Sequence, residues 1–432
     1  MELNNIILQT LKEEVVPAMG CTEPVAVALA CAKARELINY NEINRIKVFV
    51  SPNIYKNGLA VGIPNTNEVG LDIAAAIGIV SGGSEKGLEV LSGIKEEQVD
   101  DANNLLKSGK LSLDIKDSKE KIYIEVHFIT DKGTSKVIIK KKHNQFVYLE
   151  KQGEVIFDEM HSDRQTNESK NILYNFEITE IIKEIEKLSY TDIEFMLEGL
   201  DMNEKVAMIG LSRKVGMGVG FSFYENIKKG ILSDDLMNSA MMLTAAASDA
   251  RMSGISLPVM SSNGSGNNGL TAILPILAYS KKFNVENEKL AKALAISHIV
   301  NSYIKYYIGR LSALCGCGVA AGTGASVAIA WLMGADEERI NGTIKNMLAS
   351  TSGMICDGAK VGCALKLATS ASTAIQSALL AVSNNIVPVK NGIIGETAEE
   401  TIKNLQMLSN EGMSITDNVI LNIMKKMQKC DI

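Results

Sequence analysis

Seven cysteines occur in this 432-residue chain, and six of them, all but Cys31, sit beside Gly, Asp or Thr, five of these in turn-like sequence and Cys430 two residues from the end. Four fall late in the chain, as Cys315-Gly316-Cys317, then Cys356-Asp357-Gly358-Ala359-Lys360, then Cys363. On one continuous helix Cys356 and Cys363 would be separated by roughly 10 Å of rise, too far to share one metal centre easily. Gly358 and Gly362 instead permit a tight loop that folds both sulfurs inward. Helix starts expected after Cys317 and Cys363 would turn N–H dipoles toward the thiols and favour thiolate. Three or four loop thiolates suit Zn or an iron–sulfur cluster. The usual CxxC zinc spacings are missing, and four histidines leave little for mixed ligation. The alternative is a set of small core residues in a Gly/Ala-rich bundle.

Two other segments carry chemistry. Gly20-Cys21-Thr22-Glu23-Pro24 opens an Ala-rich run, so Cys21 stands at an expected helix start, where a depressed thiol pKa would make it a base or nucleophile. Glu23 opposes that electrostatically, and a buried structural thiol is the competing reading. Ser261-Ser262-Asn263-Gly264-Ser265-Gly266-Asn267-Asn268-Gly269 precedes an apolar helix. Stacked backbone N–H groups there, with Ser262, Asn263, Gly264 and Asn267 as donors, suit a carboxylate or phosphate; a long capping loop is the alternative. Phosphate loops of pyridoxal-phosphate lyases look similar, but no parallel α/β alternation surrounds Lys360 or Lys366 as a Schiff-base lysine would require. His143-Asn144 lies between two strands, and Asn65 in Pro64-Asn65-Thr66-Asn67; each reads as a turn or as a substrate contact.

The elements that must position these residues are α+β. Glu2–Val16 and a helix from Pro24 to about Ile38 precede a strand at Arg45–Ser51 and a small-residue helix at Gly70–Val80. Between Leu111 and Asp158 the period becomes two, and 112–116, 121–130, 134–141, 145–150 and 154–158 read as an antiparallel meander. Charged Met160–Lys170 reads as a linker. From 171 on the pattern is helical, interrupted at 216–220, 263–269 and 358–362. Two parts follow: 1–170, mixed and carrying Cys21, and 171–432, helical and carrying the late cysteines.

Composition narrows the function. The chain is 46% hydrophobic and 22% charged, as an ordinary globular protein is. Net charge is −6, and no Lys/Arg block is flanked by aromatics, so no nucleic-acid partner is expected. The N-terminus carries acids and lacks a basic start, unlike a signal peptide. Apolar runs such as Ala364–Val382 are interrupted by Lys366, Thr369 and Gln376, so no membrane span of ~20 residues is expected. A cytoplasmic address follows, where thiols stay reduced.

Taken in order, GCTEP (20–24), SSNGSGNNG (261–269), SALCGCGVAAGTGAS (312–326) and CDGAKVGCALK (356–366) resemble the L-cysteine desulfidase family, related to the iron–sulfur bacterial L-serine dehydratase alpha chain. The resemblance implies a [4Fe–4S] enzyme that eliminates sulfide from L-cysteine, giving pyruvate, ammonia and hydrogen sulfide. It implies three ligands, Cys315, Cys356 and Cys363, with Cys317 able to replace Cys315, and a fourth iron left for substrate. Cys21, standing where dehydratases are expected to have a Ser/His-rich turn, argues for cysteine over serine and for a catalytic thiol. Thr22, Glu23, Asn65 and His143 join the loop residues and Lys360 as expected substrate contacts. L-Cysteine is the expected partner and a homodimer the expected assembly. Serine dehydration on the same scaffold and a non-catalytic cluster protein are the alternatives.

Overall fold

A computed structural model describes residues 2–118, 120–160 and 172–428. Most of the expected linker, His161 and Cys430 lie outside the described residues. The chain is α+β, as its periodicities predict. In order, the N-terminal elements are α1 (Leu3–Glu14), β1 (Pro17–Met19), α2 (Thr22–Glu36), β2 (Ile43–Val50), α3 (Pro52–Gly58), α4 (Leu71–Val80) and α5 (Glu96–Lys107). Strands β3 (Leu111–Ile115), β4 (Tyr123–Thr130), β5 (Gly133–Lys140), β6 (Phe146–Lys151) and β7 (Glu154–Asp158) follow.

The six-stranded sheet has the order β3-β2-β4-β5-β6-β7. The expected meander holds from β4 to β7, but β3 is not its first member. β2 inserts between β3 and β4 and pairs with β3 in parallel, Ile46 opposite Leu111. The cause is the connection: α3, α4 and α5 carry the chain back across the sheet before β3 begins, as a parallel pair requires. Alternation sends Ile46, Val48, Val50, Ile124, Val126 and Phe128 inward, where they meet Val25, Leu29 and the alanines of α2. Small residues let α2 and α4 touch backbone to backbone; a Cβ on Gly78 would fall 2.3 Å from the Ala28 carbonyl oxygen.

The rest is helical: α6 (Ile178–Lys187), α7 (Tyr190–Ile193), α8 (Glu198–Ser212), α9 (Val219–Lys228) and α10 (Leu236–Met252). After β8 (Pro258–Met260) come α11 (Gly266–Phe283), α12 (Asn287–Ile308), α13 (Gly322–Leu332), α14 (Glu337–Thr351), α15 (Cys363–Val382), α16 (Ala398–Met407) and α17 (Thr416–Gln428). A tighter turn at Glu194–Leu197 separates α7 from α8. Helix α9 is held at its start from elsewhere in the chain. The Asp249 carboxylate accepts the backbone N–H groups of Met217 (3.2 Å) and Gly220 (3.0 Å). Helix α15 is long and apolar enough to cross a membrane, by length and composition alone. Its Leu367, Ala371, Ile375 and Ala378 nevertheless pack in the helical core.

Two features bind the parts together. The inward face of α1 (Ile6, Ile7, Leu11) belongs to the helical core. β1 pairs antiparallel with β8, Pro17 opposite Met260. The chain leaves that ribbon at opposite ends, into Gly20-Cys21 after β1 and into Ser261–Asn263 after β8, and the two motifs meet where the Thr22 hydroxyl donates to the Gly264 carbonyl (3.3 Å).

Candidate active site

The late cysteines are brought together by backbone pairing. Leu314 bridges Ile355 antiparallel; the Cys315 N–H reaches the Met354 carbonyl (2.8 Å) and the Cys356 N–H that of Ala313 (2.7 Å). Cys317 opens a wide helical turn, Cys317–Ala321, and Cys363 is the first residue of α15. Gly358, at φ +96° and with its Cα against the Lys56 carbonyl, makes the fold-back between Cys356 and Cys363. All four thiols and Cys21 line one cavity of about 100 Å³.

Among the described residues no three His, Cys, Asp or Glu side chains are grouped to hold one metal ion. The donor set therefore does not suit a mononuclear Zn site. Soft thiolate donors on one cavity wall are of the type that an iron–sulfur cluster takes. A hydrogen bond from Cys317 lowers the Cys315 pKa to about 6, helped by the Gly318 N–H and by Lys366 and Lys305. Cys317, as that donor, is raised. Burial raises Cys356 and pushes Cys363 up to about 11. The expected thiolate-favouring helix starts thus do not prevail, over the Cys315 hydrogen bond at Cys317 or over burial at Cys363.

The Ser261–Gly269 run is a short turn and a helix start. Asn263 (φ 52°) and Gly264 (φ 73°) are both left-handed, a conformation Asn and Gly tolerate. Ser265 caps α11, which begins at Gly266, before the expected end of the loop. Asn263, Gly264 and Asn267 line the cavity. Ser262 does not; its hydroxyl sits behind the turn, bonded to His298 Nδ1 (2.9 Å) and Asn301 Nδ2 (2.8 Å). Buried Arg251 braces the two motifs, donating to Asn267 Oδ1 (3.0 Å) and to the Gly20 carbonyl (2.6 Å).

Cys21 is the residue before α2, in extended conformation. Its thiol donates to Glu23 Oε2 (3.3 Å), which also accepts from Thr22 Oγ1 (3.2 Å), while Asn57 Nδ2 donates to Glu23 Oε1 (3.2 Å). Burial, with Glu23 adding to it, raises the Cys21 pKa; Arg251 opposes only in part. The expected depressed thiol is therefore corrected: desolvation and a neighbouring carboxylate outweigh the helix start. Burial works against the Glu23 carboxylate too, but His143, the Cys21 hydrogen bond and Arg251 together lower its pKa. His143 lies in the β5–β6 turn and lines the cavity, with Nε2 3.9 Å from Glu23 Oε1.

Two more expectations are not met. Asn65 is a left-handed turn residue whose amide donates to the Leu91 carbonyl (3.0 Å), away from the cavity. Lys360 pairs with Asp357 (2.5 Å) and is not in the lining. Sequence reasoning also missed Lys56, Asn57, Arg251, Lys305 and Arg310, all of which line the cavity. Lys56 donates to the Cys356 carbonyl (3.0 Å) and to Asp417 (2.6 Å). Lys305 donates to the Arg310 carbonyl, and burial lowers its pKa to about 8. A signal for it existed: His298, Asn301, Ser302 and Lys305 form a polar stripe at helical spacing on the buried helix α12.

The cavity thus joins a cysteine wall, cations and a left-handed turn beside one buried carboxylate. Comparison with known proteins gives the family. Residues 85–422 match the serine dehydratase alpha chain family. The chain is 66% identical to a UPF0597 protein of Alkaliphilus oremlandii, over 99% of this chain and 100% of that one. It is 54% identical to a UPF0597 protein of Clostridioides difficile, over 98% and 100%. With a UPF0597 protein of Caldanaerobacter subterraneus it shares 43% identity, over 98% and 99%. The chain belongs to the serine dehydratase alpha chain family, a group of iron–sulfur-dependent, lyase-type enzymes, and within it to the UPF0597 proteins.

Proposed function

We propose that this protein is a [4Fe–4S]-dependent L-cysteine desulfidase: L-cysteine and water give pyruvate, ammonia and hydrogen sulfide. One observation carries the reading. Cysteines from three separated segments line a single cavity with the Asn263–Asn267 turn and the Cys21–Glu23 pair. Cys315, Cys356 and Cys363 are the cluster's ligands in this reading, and Cys317 holds Cys315 by its hydrogen bond. With one iron left free of protein thiolate, the cluster supplies a Lewis acid for a sulfur leaving group.

The chain's own residues bind and move protons. The Asn263–Gly264 turn and Asn267 hold the substrate carboxylate, with the Arg251 charge behind them. Cys21 is the catalytic thiol: burial and Glu23, 3.3 Å away, keep it protonated, so it gives its proton to the departing sulfur and recovers one from the α-carbon, Glu23 staying ionised throughout. Loss of sulfur leaves aminoacrylate, which tautomerises and hydrolyses in water.

Serine dehydration is the second reading, favoured by the description of the matched family. The test is anaerobic purification, iron and acid-labile sulfide per chain, then sulfide from L-cysteine and pyruvate from L-serine on one sample. Iron-loaded protein that releases sulfide confirms the proposal. Pyruvate from serine without sulfide from cysteine replaces it with the dehydratase, and iron-free active protein defeats both.

A further inference from the structure

We infer that Glu23 and Asn57 form a subsite for a primary ammonium group, so that the cavity selects free α-amino acids over their deamino counterparts. The inference rests on the reading above for its substrate class, but its argument is a matter of unpaired charge. Glu23 is 6% exposed, and a buried carboxylate carries a large desolvation penalty unless a cation accompanies it. Its fixed hydrogen-bond partners are neutral: the thiol of Cys21, the hydroxyl of Thr22 and the amide of Asn57. Among the described residues, one ionisable side-chain nitrogen comes within 4.0 Å, His143 Nε2 at 3.9 Å. That is beyond hydrogen-bond reach, and burial lowers the imidazole's pKa.

The cavity's other cations are committed elsewhere. Arg251, whose charge acts on Glu23 through space as His143 does, gives its hydrogen bonds to Gly20 and Asn267 and none to the carboxylate. Lys56 holds Asp417 and the Cys356 carbonyl, Lys305 the Arg310 carbonyl, and Arg310 Glu14.

A second, independent feature stands beside the carboxylate. Asn57 is also 6% exposed, and its Oδ1 has no hydrogen-bond partner among the described residues. The amide cannot be turned over to cure this. Its nitrogen must face Glu23, because two oxygens would otherwise oppose each other without a hydrogen. A carboxylate and an unpaired amide oxygen are thus both presented at one corner of the cavity. A hydroxyl brings one hydrogen and no charge. A primary ammonium brings three hydrogens and a positive charge in direct contact, which neither Arg251 nor His143 supplies. Across the cavity the Asn263–Gly264 turn and Arg251 offer donors and positive charge. Acceptors on one side and donors on the other suit an amino-acid zwitterion.

The test uses an inert pair, L-alanine and propionate, which differ in the ammonium and lack a leaving group. Titration calorimetry on anaerobic, iron-loaded, full-length protein should show alanine roughly 10- to 100-fold tighter, the range for a hydrogen bond to a charged group. In Glu23→Gln that preference should fall to within about threefold, with propionate affinity unchanged. A purely structural role for Glu23 would weaken both ligands together. Equal binding in the wild type, no alanine binding, or a preference kept in Glu23→Gln overturns the assignment. If Glu23→Gln binds neither ligand, Asn57→Leu decides: a preference cut several-fold sustains the subsite, and an unchanged one overturns it. Sulfide release is scored separately. Preference for alanine without sulfide from cysteine keeps the subsite and removes the desulfidase; sulfide without preference does the reverse.

Discussion

Cys315 and Cys21 face the same cavity, are 6% and 5% exposed, and differ in every respect that decides thiol chemistry. Cys315 receives a hydrogen bond from Cys317 and feels Lys366 and Lys305, which lowers its pKa to about 6. Cys21 gives its hydrogen to Glu23, and that carboxylate adds to the effect of burial and raises it. Equal burial with opposite outcome teaches that depth alone does not assign the roles: a donated hydrogen bond, aided by two lysines, overcomes burial at Cys315, and a carboxylate reinforces it at Cys21. One wall is prepared for thiolate ligands, and the other keeps its proton.

The largest test of this contrast is substitution at each wall. Cys356→Ala should abolish iron binding, brown absorbance and sulfide production together. Cys21→Ser should keep the iron and colour and lose nearly all turnover. Loss of iron in Cys21→Ser would erase the distinction, and full iron in Cys356→Ala would remove that ligand.

Next in size is reactivity. In iron-free protein, peptide-resolved alkylation of Cys315 should rise through about pH 6 and level off by about pH 8, while Cys21 stays unmodified. The sign follows from the attacking species: thiolate accumulates above the pKa, which Cys315 reaches within that window and Cys21 does not. Parallel curves would sink the comparison.

A smaller effect sharpens it. Lys366→Met removes a positive charge that stabilises the Cys315 thiolate, and should move the Cys315 midpoint upward by about one pH unit or less without moving Cys21. The smallest effect on either wall comes from Gly220→Ala. Its Cβ would lie 2.4 Å from the Ala246 backbone, costing ~1–3 kcal/mol of stability by overpacking. Thermal unfolding should register that loss while the alkylation pattern is retained.

How legible all this was in the sequence follows from the range of the forces. Local patterns revealed the helices and most strands, because a 3.6 or 2.0 period needs no partner. The motif segments at 20–24, 261–269, 315–317 and 356–363 were visible as glycine-flanked polar residues, and all four border the cavity. Three individual residues inside or beside them misled. Asn65 is polar because a left-handed turn tolerates Asn, Lys360 because Asp357 needs a partner, and Ser262 supports the turn from behind. Arg251, Lys305 and Asn57 were hidden inside helices, where one charged or amide side chain looks like a solvent face until packing shows otherwise. The insertion of β2 between β3 and β4 depends on a crossover, which periodicity does not record.

The β1–β8 ribbon has a consequence for biosynthesis. Val16 and Ser261 are joined by a hydrogen bond across 245 residues of chain. At a ribosome's pace of about 5–20 residues per second, the N-terminal strand waits roughly 10–50 s for its mate. Through that interval the apolar face of α1 and the Gly20–Glu23 segment have no docking surface, so they are natural clients for a chaperone. The cysteines at 315, 356 and 363 emerge later still. The cavity therefore acquires its cysteine wall only late in synthesis, long after its Cys21 side has been made.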